Sequence, residues 1–325
     1  MKQLLVALLL LQQTRIISKS GSSMGGATTV TSISTPSGGG TPDLPAGAEI
    51  DLNSATAANI HKNMVLGVST LDGAANSDFV NRWVNEGTLH TVPTASDAPE
   101  TGSSCTNADF LFHSFQLFGR YITDGVPVIA WKAADNAAGR NSLVWNAGAC
   151  SGGTRDPGTA TFIIVARIAS YLDNSPQASF ESAPSLFADL ARGSWHWGIG
   201  YSTAANPAGP TTGVAFHTNN SAYSAETNLA AGVFDTTTYH VYVMAGDQAN
   251  VLGQGTDKWV CYVDGALIGS MTLTNVATFD RIEMGGNAGN EVDHRTKRVL
   301  YYNSTLTAPQ IADASAALKA LYGTP

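Results

Sequence analysis

Between the apolar runs Lys258-Trp-Val-Cys-Tyr-Val263 and Ala266-Leu-Ile268 stands the pair Asp264-Gly265. Strand twist fits only the primed two-residue turns, and glycine accepts the positive φ that such a turn demands, so the pair predicts a tight antiparallel hairpin. Further strand signals, rich in β-branched and aromatic residues, occupy Thr161–Ile168, Tyr239–Met244 and Arg298–Tyr302. Long helical periodicity is nearly absent ahead of the carboxy-terminus, a pattern that predicts a sandwich or barrel. Some of these runs alternate and others are continuously apolar, which predicts sheets covered in part on both faces.

The chain has 325 residues, enough for one large β-sandwich and a tail. Hydrophobic residues make up 43% and charged residues only 13%. The interior therefore has ample apolar material, and the surface must be solvated mainly by Ser, Thr, Asn and Gly. With a formal net charge of -8 and no run of Lys or Arg to track a phosphate backbone, the composition argues against a nucleic-acid partner. Cys105, Cys150 and Cys261 follow no metal-ligand spacing. The first two are available to form one disulfide, and Cys261, inside a strand, reads as a small core residue.

Residues 1–48 form a segment of their own. Lys2 and the apolar run Leu4–Leu11 resemble the start of a secretory signal and are too short to span a bilayer. Gln12-Gln-Thr-Arg-Ile-Ile-Ser-Lys19 carries no small-x-small cleavage pattern, so an apolar helix retained and docked on a neighbouring subunit fits equally well. From Ser18 to Ala48 the chain is Gly, Ser and Thr with scattered Pro, too poor in apolar residues to offset chain entropy, and reads as an extended arm. Residues 49–325 form the predicted sandwich domain. Its last element is a helix in which Thr307 caps, Gln310 completes a capping box, Pro309 sits in the first turn and Gly323 ends the helix. Ile311, Ala314, Ser315, Leu318, Leu321 and Tyr322 share one side at helical spacing and predict an apolar stripe laid on the sandwich.

Several segments in order resemble the concanavalin A-like lectin/glucanase superfamily, in the laminin-G-like branch found in bacterial surface and phage proteins. They are Asn81–Gly87, Asp124–Trp131, Asn141–Trp145, Phe162–Ile168, Trp195–Gly200, Tyr239–Val243, Tyr262–Gly269, Arg281–Gly286, Val299–Leu306 and Leu321–Gly323, so that the resemblance covers Ile50–Gly323. It implies an all-β fold: a two-sheet antiparallel jelly-roll with a short carboxy-terminal helix and an extended amino-terminal arm.

The glucanases of that superfamily carry Glu-x-Asp-x-x-Glu on one strand, because alternate residues share a sheet face and two carboxylates must meet at one glycosidic bond. Here Glu291-Val-Asp293 is followed by Thr296, and Glu49-Ile-Asp51 by Ser54. The missing second Glu leads to the expectation that the chain is not an enzyme, a polysaccharide depolymerase with an atypical site being the rival reading. His196, His217 and His240 lie in separate strand candidates, and no carboxylate spacing accompanies them as a metal or catalytic set would need. No cofactor is expected. Calcium is an option through the oxygen-rich stretch Asp173–Ser175, as in some members of the superfamily.

A binding reading rests on aromatic and polar residues: Trp195, Trp197, Tyr201, Asn219, Asn220, Asp247, Asn250, Asn287, Asn290, Asp293 and His294. A pyranose stacks its apolar face on an aromatic ring while amides and carboxylates satisfy its hydroxyls. Trp195 and Trp197 alternate with His196 along a strand, so both also fit a plain core position. The resulting expectation is a non-catalytic, surface-displayed lectin-like protein, as a tail, fibre or capsid-decoration component of a phage virion. Its partners are carbohydrate and, through the amino-terminal segment, other virion subunits or itself. A secreted or extracellular bacterial adhesion module and a purely structural virion protein are the alternatives.

Overall fold

The computed structural model describes residues 43–62, 73, 75–76, 80, 82–88, 110–112, 119–123, 127–131, 141–146, 156–171, 185–188, 196–203, 212–219, 227–230, 238–273, 281–286 and 292–324. Their strands are β1 (Ile50–Asn53), β2 (Ile60–His61), β3 (Arg82–Trp83), β4 (Phe110–Phe112), β5 (Gly119–Ile122), β6 (Val128–Trp131), β7 (Asn141–Asn146), β8 (Thr161–Tyr171) and β9 (Ser185–Ala188). They continue as β10 (His196–Thr203), β11 (Thr212–Asn219), β12 (Thr227–Ala230), β13 (His240–Asp247), β14 (Lys258–Val263), β15 (Ala266–Thr272), β16 (Arg281–Gly286) and β17 (Val292–Tyr302). One α-helix, α1 (Ala308–Tyr322), follows.

The strands build two antiparallel sheets. An eight-stranded sheet runs β15-β14-β13-β8-β17-β6-β5 with β1 added on β17, and a nine-stranded sheet runs β12-β11-β10-β9-β16-β7-β4-β3-β2. Phe216 of β11 is fully buried and its ring meets Tyr242 of β13 edge-on at 6.3 Å. This contact brings the two sheets face to face. On the same inner face of the eight-stranded sheet, Phe162 packs against Tyr301 at 4.9 Å and Trp259 at 6.4 Å. Among the described residues the molecule is thus a two-sheet β-sandwich with a short carboxy-terminal helix, as the resemblance implied.

The other face of the eight-stranded sheet is covered by α1. Ile163 and Val165 of β8, Val241 and Val243 of β13, Val260 and Tyr262 of β14, and Leu300 and Tyr302 of β17 pack against Ile311, Ala314, Leu318 and Tyr322 of the helix. Burial on both faces explains why every residue of β13 is buried and why its sequence is apolar without alternation. Cys261 of β14 is fully buried, and burial pushes its thiol pKa well up. It is a protonated core residue and not a nucleophile.

The ends of α1 follow the sequence. Thr307 caps with its side chain on the Gln310 backbone, Gln310 returns its side chain to the Thr307 backbone, and Gly323 closes the helix in the left-handed conformation at φ 63°. The stripe differs at one place: Leu321 is 59% exposed, while Ala317 is buried instead. Toward its end the helix packs on the sheet through Leu318 and Tyr322.

A group of polar bonds ties β1, β17 and α1 together. Arg298 grips Asp51 through two bonds of 2.8 and 2.6 Å, the Tyr322 hydroxyl meets Asn53 Oδ1 at 3.1 Å, and the Tyr302 hydroxyl donates to the Pro45 carbonyl at 3.0 Å. Burial, with the nearby Asp51 carboxylate, pushes the Tyr302 pKa up to about 12. Burial pushes Tyr322 up to about 12 as well, against the opposing pull of Arg298.

The hairpin has the predicted geometry: Asp264 has φ 53° and Gly265 φ 84°, between the paired residues Val263 and Ala266. The Asp264 carboxylate also returns to the start of β13, accepting from Val241 N at 2.9 Å and meeting His240 Nδ1 at 2.6 Å. A Cβ at Gly265 would stand 3.3 Å from Ser315 Cβ of α1. Gly265→Ala is therefore expected to lower stability by about 1–2 kcal/mol, read as a shift in the urea midpoint, because it adds left-handed strain to a close helix contact. An unchanged midpoint would refute the turn geometry.

A second expectation concerns alkali. Below pH about 10 both tyrosines are protonated whether the chain is folded or not. Above it the unfolded chain releases protons that the folded chain holds, so stability falls as pH rises toward about 12. The loss is on the order of 2–3 kcal/mol for each tyrosine. Tyr302→Phe should flatten the fall in a pH series of urea melts, with tyrosinate absorbance following the transition.

Candidate functional site

The backbone register decides which of the expected binding residues stand together. In β10 and β11, His196 lies opposite Asn219, Trp197 opposite Thr218, Gly198 opposite His217, Ile199 opposite Phe216 and Tyr201 opposite Val214. Directly opposed residues share a sheet face, and successive residues alternate. Trp197 and Tyr201 consequently belong to the face of Phe216, the one turned to the eight-stranded sheet, whereas Asn219 belongs to the other. The register thus places Trp197 and Tyr201 on one face of the sheet and Asn219 on the other.

The opposite face carries a different row. Asn228 lies opposite His217, His217 opposite Gly198, Gly198 opposite Ala188, Ala188 opposite Glu283 and Glu283 opposite Val144. His196 and Asn219 form the next row of that face on β10 and β11, beside Gly198. The nine-stranded sheet therefore sets amide, imidazole and carboxylate residues around positions with almost no side-chain bulk, Gly198, Gly200, Ala188 and Ala215. Asn228 and Glu283 were not singled out in the sequence. Their spacing carries no signal, since only pairing across β12, β11, β10, β9 and β16 brings them into one row.

The remaining residues lie elsewhere. Asp293 and His294 are in β17 of the eight-stranded sheet, opposite Ser170 and Ile168 of β8. Asp247 ends β13 and is fully buried. Its two carboxylate oxygens accept from Val251 N and Leu252 N, each at 2.7 Å, so it organises the turn after β13. Asn250, at φ 62°, accepts from Gly255 N through its side-chain oxygen at 2.8 Å and is exposed at the tip of that turn. Beside it, the segment 156–159 meets the same turn, with Gln248 N donating to the Gly158 carbonyl at 3.1 Å. Trp195, Asn220, Asn287, Asn290, the pair Cys105 and Cys150 and the stretch Asp173–Ser175 lie outside the described residues.

The three histidines do not meet. His196 and His217 are on adjacent strands of one sheet, while His240 is in the other, bound to Asp264. Among the described residues no group of three His, Cys, Asp or Glu is placed to hold a metal ion. Asp51, in the near-match Glu49-Ile-Asp51 to the glucanase pattern, is committed to Arg298. No described helix is long and apolar enough to cross a membrane.

Among the described residues, two facing antiparallel sheets with a covering helix define a two-sheet β-sandwich. No family model matches the chain, and no curated protein matches it. Among solved structures it is similar to a Trypanosoma rangeli sialidase in complex with 2,3-difluoro-KDN, with 11% identity, over 85% of this chain and 33% of that one, at a TM-score of 0.45. It is also similar to the Ruminococcus gnavus IT-sialidase CBM40 bound to alpha2,3 sialyllactose, with 14% identity, over 55% of this chain and 95% of that one, at a TM-score of 0.36. The botulinum neurotoxin type G receptor binding domain is a third, with 12% identity, over 61% and 45% of the two chains, at a TM-score of 0.38.

One expectation is corrected here. The sequence reading set enzymatic activity aside, yet sialidases stand among the similar structures at 11% and 13% identity. The absence of one glucanase motif speaks only to that motif, and a sandwich of this kind does not separate binding from chemistry.

The buried carboxylate of Asp247 gives a direct test of its role. Asp247→Ala leaves two backbone donors without an acceptor and is expected to cost about 2–4 kcal/mol in urea unfolding. A loss well under 1 kcal/mol would contradict the turn-organising role.

Proposed function

We propose that the sandwich is a carbohydrate-binding module shown at a surface, and that the outer face of its nine-stranded sheet receives the saccharide. The observation that carries this reading is the row Asn228, His217, Gly198, Ala188 and Glu283. Amide, imidazole and carboxylate groups exchange hydrogen bonds with sugar hydroxyls in both directions. The Gly and Ala positions between them leave room for a pyranose to approach the sheet. The low charge of the chain, 13% Asp, Glu, Lys and Arg, suits a ligand that presents hydroxyls.

Display on a phage virion is the finer form of the proposal. It is supported by the composition of residues 1–48, an apolar run followed by a Gly, Ser and Thr arm, which suits a tether between an assembly contact and a binding head. A mature terminus near Gly21 in intact-mass measurement would favour a secreted adhesion module in its place.

The site is tested on a glycan array with the full-length protein. At least one saccharide should be retained, and His217→Ala with Asn228→Ala should weaken it by about tenfold, the loss of roughly two hydrogen bonds. An array without a retained saccharide, or a double variant that binds as the parent does, would remove the reading.

A further inference from the structure

The inner face of the eight-stranded sheet is packed with the rings of Phe162, Tyr242, Trp259 and Tyr301, and one row sets polar groups among them. His240 of β13 lies directly opposite Ala166 of β8, and Ala166 lies opposite Thr296 of β17. Directly opposed residues share a face, and Ala166 follows Phe162 with the period of the strand, so the row looks toward the nine-stranded sheet. His240 is 5% exposed, and Ala166 and Thr296 are fully buried.

One nitrogen of His240 is committed. Nδ1 meets the Asp264 carboxylate at 2.6 Å, and a carboxylate only accepts, so in the neutral ring Nδ1 carries the proton and Nε2 is an acceptor. Asp264 follows β14, which lies on one side of β13, and β8 lies on the other. The two nitrogens point to nearly opposite sides of an imidazole, so Nε2 is turned away from Asp264 and toward the Ala166 side. Nε2 of His240 and Oγ1 of Thr296 are both buried, and among the described residues neither has a hydrogen-bond partner. A buried polar atom left unpaired is costly, and native interiors pair the great majority of them. Two such atoms in one row, with only an alanine between them, point to a group that pairs both.

Neighbouring strands lie about 4.8 Å apart, so the backbones of His240 and Thr296 are roughly 10 Å apart. A hydroxyl hydrogen-bonded on both sides spans up to about 5.6 Å, and the imidazole covers the remainder. We propose that the interior holds one hydroxyl group above Ala166, which donates to His240 Nε2 and accepts from the Thr296 hydroxyl. It belongs to an internal water or to a small alcohol or polyol, which offer the same donor and acceptor. The next row of this face carries His294, opposite Ile168 and Trp131, a polar position toward which a polyol extends and a water does not. The site is independent of the saccharide reading, which concerns the outer face of the other sheet.

The test uses the full-length protein. Thr296→Val keeps the shape of the side chain and removes its hydroxyl, and the direction of the change separates the two cases. A bridged hydroxyl takes a hydrogen bond with it when removed, so the urea midpoint should fall; removal of an unpaired buried hydroxyl raises the midpoint. A raised or unchanged midpoint overturns the proposal. In nuclear magnetic resonance of histidine-labelled protein, His240 should be the tautomer protonated at Nδ1, with a cross-peak from its ring to a long-lived hydroxyl. A ring without such a cross-peak, or one protonated at Nε2 alone, also overturns it.

Titration of the parent with ethylene glycol tells the two sources apart. A saturable change at His240 Nε2 assigns the hydroxyl to a small alcohol, and a water cross-peak that ethylene glycol leaves in place assigns it to water. Should Thr296→Val fail to fold, the cross-peak in the parent decides, its absence counting against the site. Saccharide retention on the glycan array should be the same in Thr296→Val as in the parent, so the interior site and the saccharide reading stand or fall separately.

Discussion

The fold turns on one strand and the extra residue inside it. β17 pairs with β8 along nearly its whole length, while its other edge serves two partners, β6 over residues 294–296 and β1 over residues 298–301. The change of partner falls at Lys297, where the register shifts. A bulge re-aims the strand and raises its local twist, so one strand edge can present to two neighbours in turn. Ser54 N donates to the Lys297 carbonyl at 3.0 Å, so the backbone at the bulge is itself tied to the end of β1. Thr296, on the near side of the bulge, is fully buried, and Arg298, on the far side, holds Asp51 from β1.

From this follows the layered organisation. The eight-stranded sheet meets the nine-stranded sheet on one face, through Phe162, Tyr242 and Tyr301, and α1 on the other, through Leu300 and Tyr302. A sheet buried on both sides has no free face at its centre, so positions for a saccharide are pushed to the outer face of its partner sheet and to the turns at its ends. The saccharide row occupies the first of these places. The turn after β13, where Asp247 and Asn250 were expected to bind, uses both side chains to hold its own backbone.

Strand propensity and turn chemistry are local, and they were legible. Lys258–Val263, Arg281–Gly286 and the Asp264-Gly265 turn match the observed elements, as do the capping box and the left-handed Gly323 that bound α1. The doubly buried strands were legible as well, because β13 has no polar residue between Val241 and Ala245 and a strand with a wet face would have one. The partner of each residue was not. Trp197 and Asn219 look like neighbours in a list of sugar-binding residue types, and the register puts them on opposite faces; Asn228 and Glu283 are 55 positions apart in the numbering and share a row.

The sequence by itself determined an antiparallel two-sheet architecture, its best hairpin and its closing helix, since these depend on φ preferences, side-chain period and caps within a few residues. Only the tertiary structure decided which residues face one another: that Arg167 opposes Arg295, that Lys297 is the bulged residue, and that Asp51 rather than a ligand takes the Arg298 charge. The physical reason is that strand pairing joins residues far apart in the chain, and a shift of a single position exchanges the two faces of a strand.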